Sequence, residues 1–450
     1  MKKTKKILFG VVLAIGLLLI VPFLIPAETY LRKAERVASD ALGVPVTITK
    51  GNLFLLPSPR VIATNIVVGK NQEMVVEKLL IVPTFTSLFS TNRQLDLTVT
   101  KPIIKKSALE FVSTLAAKKP PTSEANTIHI RQVNIDEMQL IWPDTKLPIT
   151  NAEISLTEAN QLTSAHLESL DGKLKADIKP DGDSHLIIVN LDKWTLPIGL
   201  PLLIDKAKFE MQLKGSKLTI PKIDIALYGG KLKGDAVLAW PENNKATQWT
   251  LNGRLNVDNL AVKAPSRMVS QSVYLSGNLF GDGGFSANAK KAGELAERLQ
   301  ANFKFKVNNG VLHGLDLVKV ASLLIKQSES GGETQFDTFS GLLNVAGQQY
   351  HLRDLKVSSG LLAATGQVKV KPNKQLDGVV AVEVKRSIGL AAIPLNVSGT
   401  VDKPVVLPSK AALLGAAAGT AILGPGVGTS LGIKAAGALD SVKNLFGGNK

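Results

Sequence analysis

The sequence predicts a mainly β protein, in which an N-terminal transmembrane helix precedes an elongated, curled antiparallel sheet, taco-like and grooved, with a few short helices. Three observations carry this reading. An unbroken apolar run extends from Ile7 to Ile25, behind Lys2, Lys3, Lys5 and Lys6. Short segments of period two dominate most of the rest. Clusters of residues with catalytic spacing are almost missing.

The anchor comes first. A helix needs roughly 20 apolar residues to cross a hydrocarbon core of about 30 Å. Ile7–Ile25 meets that without one charge, and Pro22 lies near its far end, where a helix exit is cheap. Lysines ahead of the run hold the N-terminus in the cytoplasm, so the bulk of the chain is exported. A cleaved signal peptide has an apolar core of about 7–15 residues that ends at a small-x-small site. Ile25-Pro26-Ala27 lacks the small residue at its first position and has proline before its last. The run therefore reads as an uncleaved anchor.

Tyr30–Leu42 follows as an amphipathic helix next to the anchor. Its apolar face is Tyr30, Leu31, Ala34, Val37, Ala38, Ala41 and Leu42. Arg32, Lys33, Glu35, Arg36 and Asp40 lie opposite, and Gly43 stops it. Then the period changes to two. Val44, Val46 and Ile48 alternate with polar residues or proline; so do Leu95, Leu97 and Val99, and Ala207, Phe209, Met211 and Leu213. Leu218 and Ile220 are followed, past Pro221, by Ile223, Ile225 and Leu227; Trp249 and Leu251 precede Leu255 and Val257. This is sheet with one apolar and one polar face. Asp171-Gly172, Asp181-Gly182, Gly229-Gly230, Asn308-Asn309-Gly310 and Ser359-Gly360 read as tight turns. Helical interruptions are expected at Phe85–Phe89, Ser107–Lys118, Lys291–Gln300 and Leu315–Lys326, with a linker at 119–123. The tail from Ala411 to Ile433 is uncharged and broken at Gly424-Pro425-Gly426, which suits two short helices that cap the sheet or dip into a membrane. The segments group as anchor 1–26, first helix and strands 27–120, middle sheet 121–290, late β region 291–408 and apolar tail 409–450.

Composition narrows the function. The chain has 450 residues, 5% aromatics, no cysteine and a formal net charge of +16. Disulfides and thiolate metal sites are excluded. The basic balance suits an anionic membrane surface, or solvent-facing lysines that guard strand edges. The five histidines (His129, His166, His185, His313, His351) show no metal spacing, and no G-x-S-x-G elbow or Walker loop occurs. Gly277–Gly284 is glycine-rich but reads as a loop, without the strand-to-helix context of a phosphate cradle. Four tryptophans and four tyrosines give none of the basic-aromatic interleaving that single-stranded nucleic acid needs. No catalytic residue, metal or cofactor is expected.

A sheet with one apolar face must bury it. A sandwich filled by its own side chains does so. So does a trough whose apolar inside accepts acyl chains, at about 0.8 kcal/mol per buried methylene. If the trough is the answer, its lining candidates are Val46, Ile48, Leu95, Leu97, Val99, Phe209, Met211, Leu213, Ile225 and Leu227. Tyr30, Leu31, Val37 and Leu42 then form the membrane-proximal helix.

Particular residues carry a resemblance. They include Tyr30-Leu31-Arg32 through Gly43-Val44-Pro45-Val46, then Pro57-Ser58-Pro59-Arg60-Val61 and Asn65-Ile66-Val67-Val68-Gly69. Late in the chain come Gly310-Val311-Leu312-His313-Gly314-Leu315, Leu352-Arg353-Asp354-Leu355 and Val397-Ser398-Gly399-Thr400-Val401-Asp402. In this order they resemble the AsmA-like family, which includes bacterial bridge-like lipid-transfer proteins related to TamB. The resemblance implies a single-pass inner-membrane protein of a Gram-negative envelope, its bulk periplasmic, with a chorein-like N-terminus and a repeating β-groove. It implies phospholipid and the inner membrane as partners, with the outer membrane or one of its proteins at the far end, and a role in outer-membrane integrity. It carries no catalytic residues. The competing function is an assembly or scaffolding factor that holds outer-membrane proteins by strand addition. An envelope hydrolase is the third reading.

Overall fold

The structure, a computed structural model, describes residues 27–414 except 55, 57, 85–92, 109–127, 143–144, 160, 197–199, 242–247, 322–331 and 386–391. The expected anchor Ile7–Ile25, the turn Phe85–Phe89, the linker 119–123 and most of the helix Ser107–Lys118 lie outside these residues, as does the tail beyond 414. No helix among the described residues is long and apolar enough to cross a membrane. The chain divides into two compact units, Met1–Asp192 and Lys193–Lys450.

The first unit opens with helix α1 (Ala27–Leu42). Strands β1 (Val46–Phe54), β2 (Arg60–Val68), β3 (Met74–Pro83) and β4 (Arg93–Lys105) then pair as an antiparallel meander. β5 (Ile128–Trp142) pairs with β4 in parallel, a departure from the expected antiparallel order. A parallel neighbour needs a crossover of a dozen or more residues, and residues 106–127 supply that length. β6 (Thr145–Lys146) folds back on the end of β5, and β7 (Thr150–Leu156) also pairs with β5. β8 (Leu162–Ser169), β9 (Leu174–Asp181) and β10 (Ser184–Thr195) continue the antiparallel order. Gly172 and Gly182 hold the predicted Asp-Gly turns at φ +69° and +61°.

The second unit is one antiparallel meander. Its first half is β11 (Leu203–Lys214), β12 (Lys217–Leu227), β13 (Gly230–Ala239), β14 (Trp249–Ala261), β15 (Tyr274–Ala289) and β16 (Gln300–His313). Its second half is β17 (Glu333–Ala346), β18 (Gln349–Ser358), β19 (Leu362–Val370), β20 (Leu376–Val384), β21 (Ile393–Gly399) and β22 (Pro404–Pro408). Helix α2 (Lys263–Val269), which the sequence pattern did not predict, joins β14 to β15. Helix α3 (Leu317–Ala321) is the described part of the expected Leu315–Lys326 helix. The expected Lys291–Gln300 helix shrinks to a single 3-10 turn, Ala292–Glu294. Gly293 weakens it, and so short a helix has no packed face to offset its nucleation.

Two glycine-rich segments expected as loop and turn are strand instead. Gly277–Gly284 lies inside β15, and Asn308-Asn309-Gly310 lies inside β16. The reason is cross-strand packing against aromatic rings. Gly281 pairs with Phe305, Gly283 with Phe303, Gly253 with Phe285 and Gly310 with Phe336. A Cβ built on Gly310 would stand 2.3 Å from the Phe336 ring, and one on Gly253 2.4 Å from Phe285. The ring takes the space the glycine leaves, so the pair fills a position that two side chains would overcrowd.

Candidate functional site

Cross-strand pairing traces one apolar face through each unit, because directly opposed residues share a face. In the first unit Val68 faces Val46 and Met74, and Leu97 faces Ile81 and Val133. Ile154 then faces Val133 and Ala165, and Ile178 faces Ala165 and Ile187. In the second unit Phe209 faces Ile223, Leu232 faces Ile225 and Val257, Leu343 faces Phe303 and Leu352, and Val380 faces Gly366 and Leu395. In the second unit the opposite face is polar: Lys208 faces Asp224, Asp235 faces Arg254, and Asp282 faces Lys304. In the first unit the opposite face is mixed: Leu80 faces Ile62 and Thr98, and Val75 faces Val67 and Ile103.

The face is kept by a device that simple alternation hides. In several strands the apolar spacing changes from two to three at one residue with positive φ. In β2 it runs Val61, Ala63, then Ile66, Val68, around Asn65 at φ 52°. In β16 it runs Phe303, Phe305, Val307, then Gly310, Leu312, around Asn309 at φ 50°. Lys101, Glu137, Asn259 and Asp354 play the same part in β4, β5, β14 and β18. At Glu137, Asn259, Asn309 and Asp354 the pairing with a neighbouring strand shifts, so the extra residue is a β-bulge, which bends and twists the strand while the apolar side chains stay on one side. At Asn65 and Lys101 the neighbouring strands make the same step and the register runs on unbroken. β12 makes the same step at Pro221-Lys222, where its register shifts between Ile220 and Ile223.

Helices cover this face at two places among the described residues. Ala38 and Leu42 of α1 pack over Val46, Ala63, Ile66, Val68 and Val76. Leu317 and Ala321 of α3 pack over Leu362, Ala364, Val382, Ile393, Leu395 and Val406. Elsewhere the lining is part-open. Leu95, Leu97, Phe209, Met211 and Leu213 are half-buried; Ile48 and Val99, also half-buried, pack against the group beneath α1. Val46, Ile225 and Leu227 are buried by their neighbours and act as packing residues.

Helix α1 corrects the amphipathic reading. Glu35 belongs to the packed side, 9% exposed, not to the solvent side, while Val37 is 60% exposed. The N–H of Ile48 donates to Glu35 Oε1 at 2.7 Å, and the N–H of Val46 to Ser39 Oγ at 2.9 Å. These are the outward amides of β1, whose described strand partner is β2 alone. The helix thus plugs a sheet edge with side-chain oxygens. Ser266 of α2 serves the start of β15, past its last pair with β14, accepting from Leu275 N at 3.1 Å and donating to Leu275 O at 2.6 Å. At the other end, β22 is short and bounded by Pro404 and Pro408, which also blunts an edge.

Two polar groupings escaped the sequence reading because their members are far apart in the chain. Ser276 Oγ lies 2.9 Å from His313 Nε2, and His313 Nδ1 lies 2.7 Å from Glu333 Oε1. The connectivity is that of a hydrolase triad. Ser276, however, sits within β15, beside its register shift at Gly277, and not on a strand-to-helix elbow, and the His313 ring is stacked on Tyr274 at 4.4 Å. None of the shallow depressions described borders it; the largest, about 560 Å³, lies over Gly284 beside Asp235, Arg254 and Asn302. The row is a cross-strand polar ladder. The second grouping is His166 with Asp177 at 2.9 Å, next to the Lys175–Glu168 pair at 2.9 Å. The Asp177 hydrogen bond raises the His166 pKa, against the opposing effect of burial. Among the described residues no group of three potential ligands could hold a metal ion.

A profile of the AsmA family matches residues 84–348, more than half of the chain and parts of both units. The chain belongs to the AsmA family. No curated protein and no solved structure matches it. The AsmA family is the one the sequence resembles, although of the residues that carry that resemblance the matched stretch includes only Gly310–Leu315.

Proposed function

We propose that this AsmA-family protein is a non-enzymatic carrier of phospholipid between the inner and outer membranes, anchored in the inner membrane by Ile7–Ile25. Its bulk lies in the periplasm, and its activity supports outer-membrane integrity. The acyl chains lie against the apolar faces; the headgroup stays in water. The observation that carries this is the persistence of an apolar face within each unit, part-open at Leu95–Leu97 and Phe209–Leu213. A protein that only needed a core has no reason to keep residues of this size half-accessible across so many strands. The plugged amides of β1 and the prolines of β22 weigh against partner binding by strand addition at those edges.

The test is photo-crosslinking in living cells with a benzophenone amino acid. Placed at Leu97 or Met211, it should attach to phospholipid, identified by mass spectrometry. Placed at Thr98 or Gln212 on the opposite face, it should not. Protein adducts without lipid at the first pair would refute the reading. Leu97→Lys or Met211→Glu sets a charge in the acyl path, at about 2.5–3.5 kcal/mol. Lipid loading should then fall roughly a hundredfold, with the β-sheet circular dichroism unchanged. Loss of that signal instead would mark the site as packed core.

A further inference from the structure

At one end of the first unit large apolar side chains stand exposed on both faces of the sheet. At the β1–β2 tip, Leu53 and Val61 emerge on the apolar face, Phe54 on the opposite face, and Leu56 in the connection between the strands. Leu53 and Leu56 are 52% and 62% exposed. Solubility alone does not call for such a cluster.

Helix α1 fixes where this tip lies relative to the start of the described chain. Ser39 meets Val46 and Glu35 meets Ile48. A Cβ on Gly51 would stand 2.9 Å from Leu31 Cδ2. Stepping back along the helix therefore steps forward along β1, so the two run antiparallel. From Leu31 to Ala27 the helix rises about 6 Å. From Gly51 to Leu53 the strand rises about 7 Å. The chain thus enters α1 level with the exposed tip, directly after the apolar run Ile7–Ile25. Exposed Arg32, Lys33, Arg36 and Lys50 flank the same region, and the Arg60 guanidinium lies 5.1 Å over the Phe54 ring. Apolar side chains ringed by cations match the boundary between acyl chains and anionic headgroups.

We propose that the β1–β2 tip is a membrane-inserting wedge, which enters the headgroup–acyl boundary of the bilayer that holds the anchor. This deepens the proposed function and rests on its anchored reading. The wedge sets the mouth of the apolar face of β1 and β2 at the lipid surface, where a phospholipid can leave the bilayer.

The chain has no cysteine, so single labels are unambiguous. The experiment reconstitutes the full chain into vesicles of phosphatidylethanolamine and phosphatidylglycerol. An environment-sensitive fluorophore is placed on Leu18→Cys, Leu53→Cys, Leu56→Cys or Lys70→Cys, the last in the β2–β3 turn at the far end. Spin-labelled lipids should quench Leu18, Leu53 and Leu56 severalfold more than Lys70. Quenching at Leu18 without quenching at Leu53 and Leu56 overturns the wedge and leaves the anchor standing; the tip is then covered by protein. Quenching at Leu53 and Leu56 without Leu18 keeps the wedge and overturns the anchor. Quenching at none of the three overturns both. The double variant Leu53→Glu/Leu56→Glu should lower phospholipid extraction from these vesicles about tenfold while the label at Leu18 stays quenched. An unchanged extraction rate overturns the role of the wedge in loading.

Discussion

Single residues decide where this sheet stops and where it bends. Glu35 and Ser39 look like solvent-facing helix residues, yet they satisfy the outward amides of Val46 and Ile48. Glu35→Ala should destabilise the first unit by about 1–3 kcal/mol, because the Ile48 N–H loses its acceptor. Urea unfolding followed by circular dichroism checks this. Sequence pattern could not reveal the role, since a helix face is read from hydrophobicity and a buried carboxylate runs against it. Asn309 was visible as a turn former and Asn65 was not singled out as one; the use of either inside a strand depends on neighbours far away in the chain. Asn309→Val at φ 50° should cost roughly 1–2 kcal/mol, while Asn309→Gly should be close to neutral. His166 gives a pH signature. Its pKa in the folded chain lies above the ordinary 6.5, chiefly through Asp177. The stabilisation from this contact is complete below 6.5 and fades as pH rises through the raised value. NMR titration of the imidazole should show the upward shift, and Asp177→Asn should remove it.

At the level of elements, the period-two runs at Val46–Ile48, Leu95–Val99 and Phe209–Leu213 were legible as strands because alternation is local. The parallel pairing of β4 and β5 was not, since strand direction depends on the crossover and not on either strand's residues. Arg131 reinforces that pairing from the solvent side through a bidentate contact with Asp96. The glycine stretch of β15 misled for a related reason. Glycine normally signals a turn, but here rings from β16 occupy the missing side-chain space. Gly310→Ala should therefore destabilise by about 1–3 kcal/mol through overpacking against Phe336. The matched change Phe336→Leu should recover part of the loss in a double-mutant cycle.

For the molecule as a whole, the apolar faces matter more than any cluster of polar groups. Which side chains line the face was readable at Leu95, Leu97, Val99, Phe209, Met211 and Leu213. Which of the candidates are covered was not, because the burial of Val46, Ile225 and Leu227 comes from strands and helices that alternation does not locate. The Ser276–His313–Glu333 row gives a clean test of the non-enzymatic reading. A fluorophosphonate probe should leave Ser276 unlabelled, and Ser276→Ala should leave lipid transfer unchanged. Labelling at Ser276 would reopen hydrolysis.

The step of three at each bulge also governs how these strands respond to a change of length. Asn309 works like a silent letter. Its deletion leaves Val307 and Gly310 two places apart, and Leu312 keeps its side. Deleting Lys306 instead turns the stretch between it and the bulge inside out and sets Val307 among the lysines. Each such strand thus has one position where a residue can be lost without scrambling the frame in which its faces are written, so length variation among related chains should gather at the bulges.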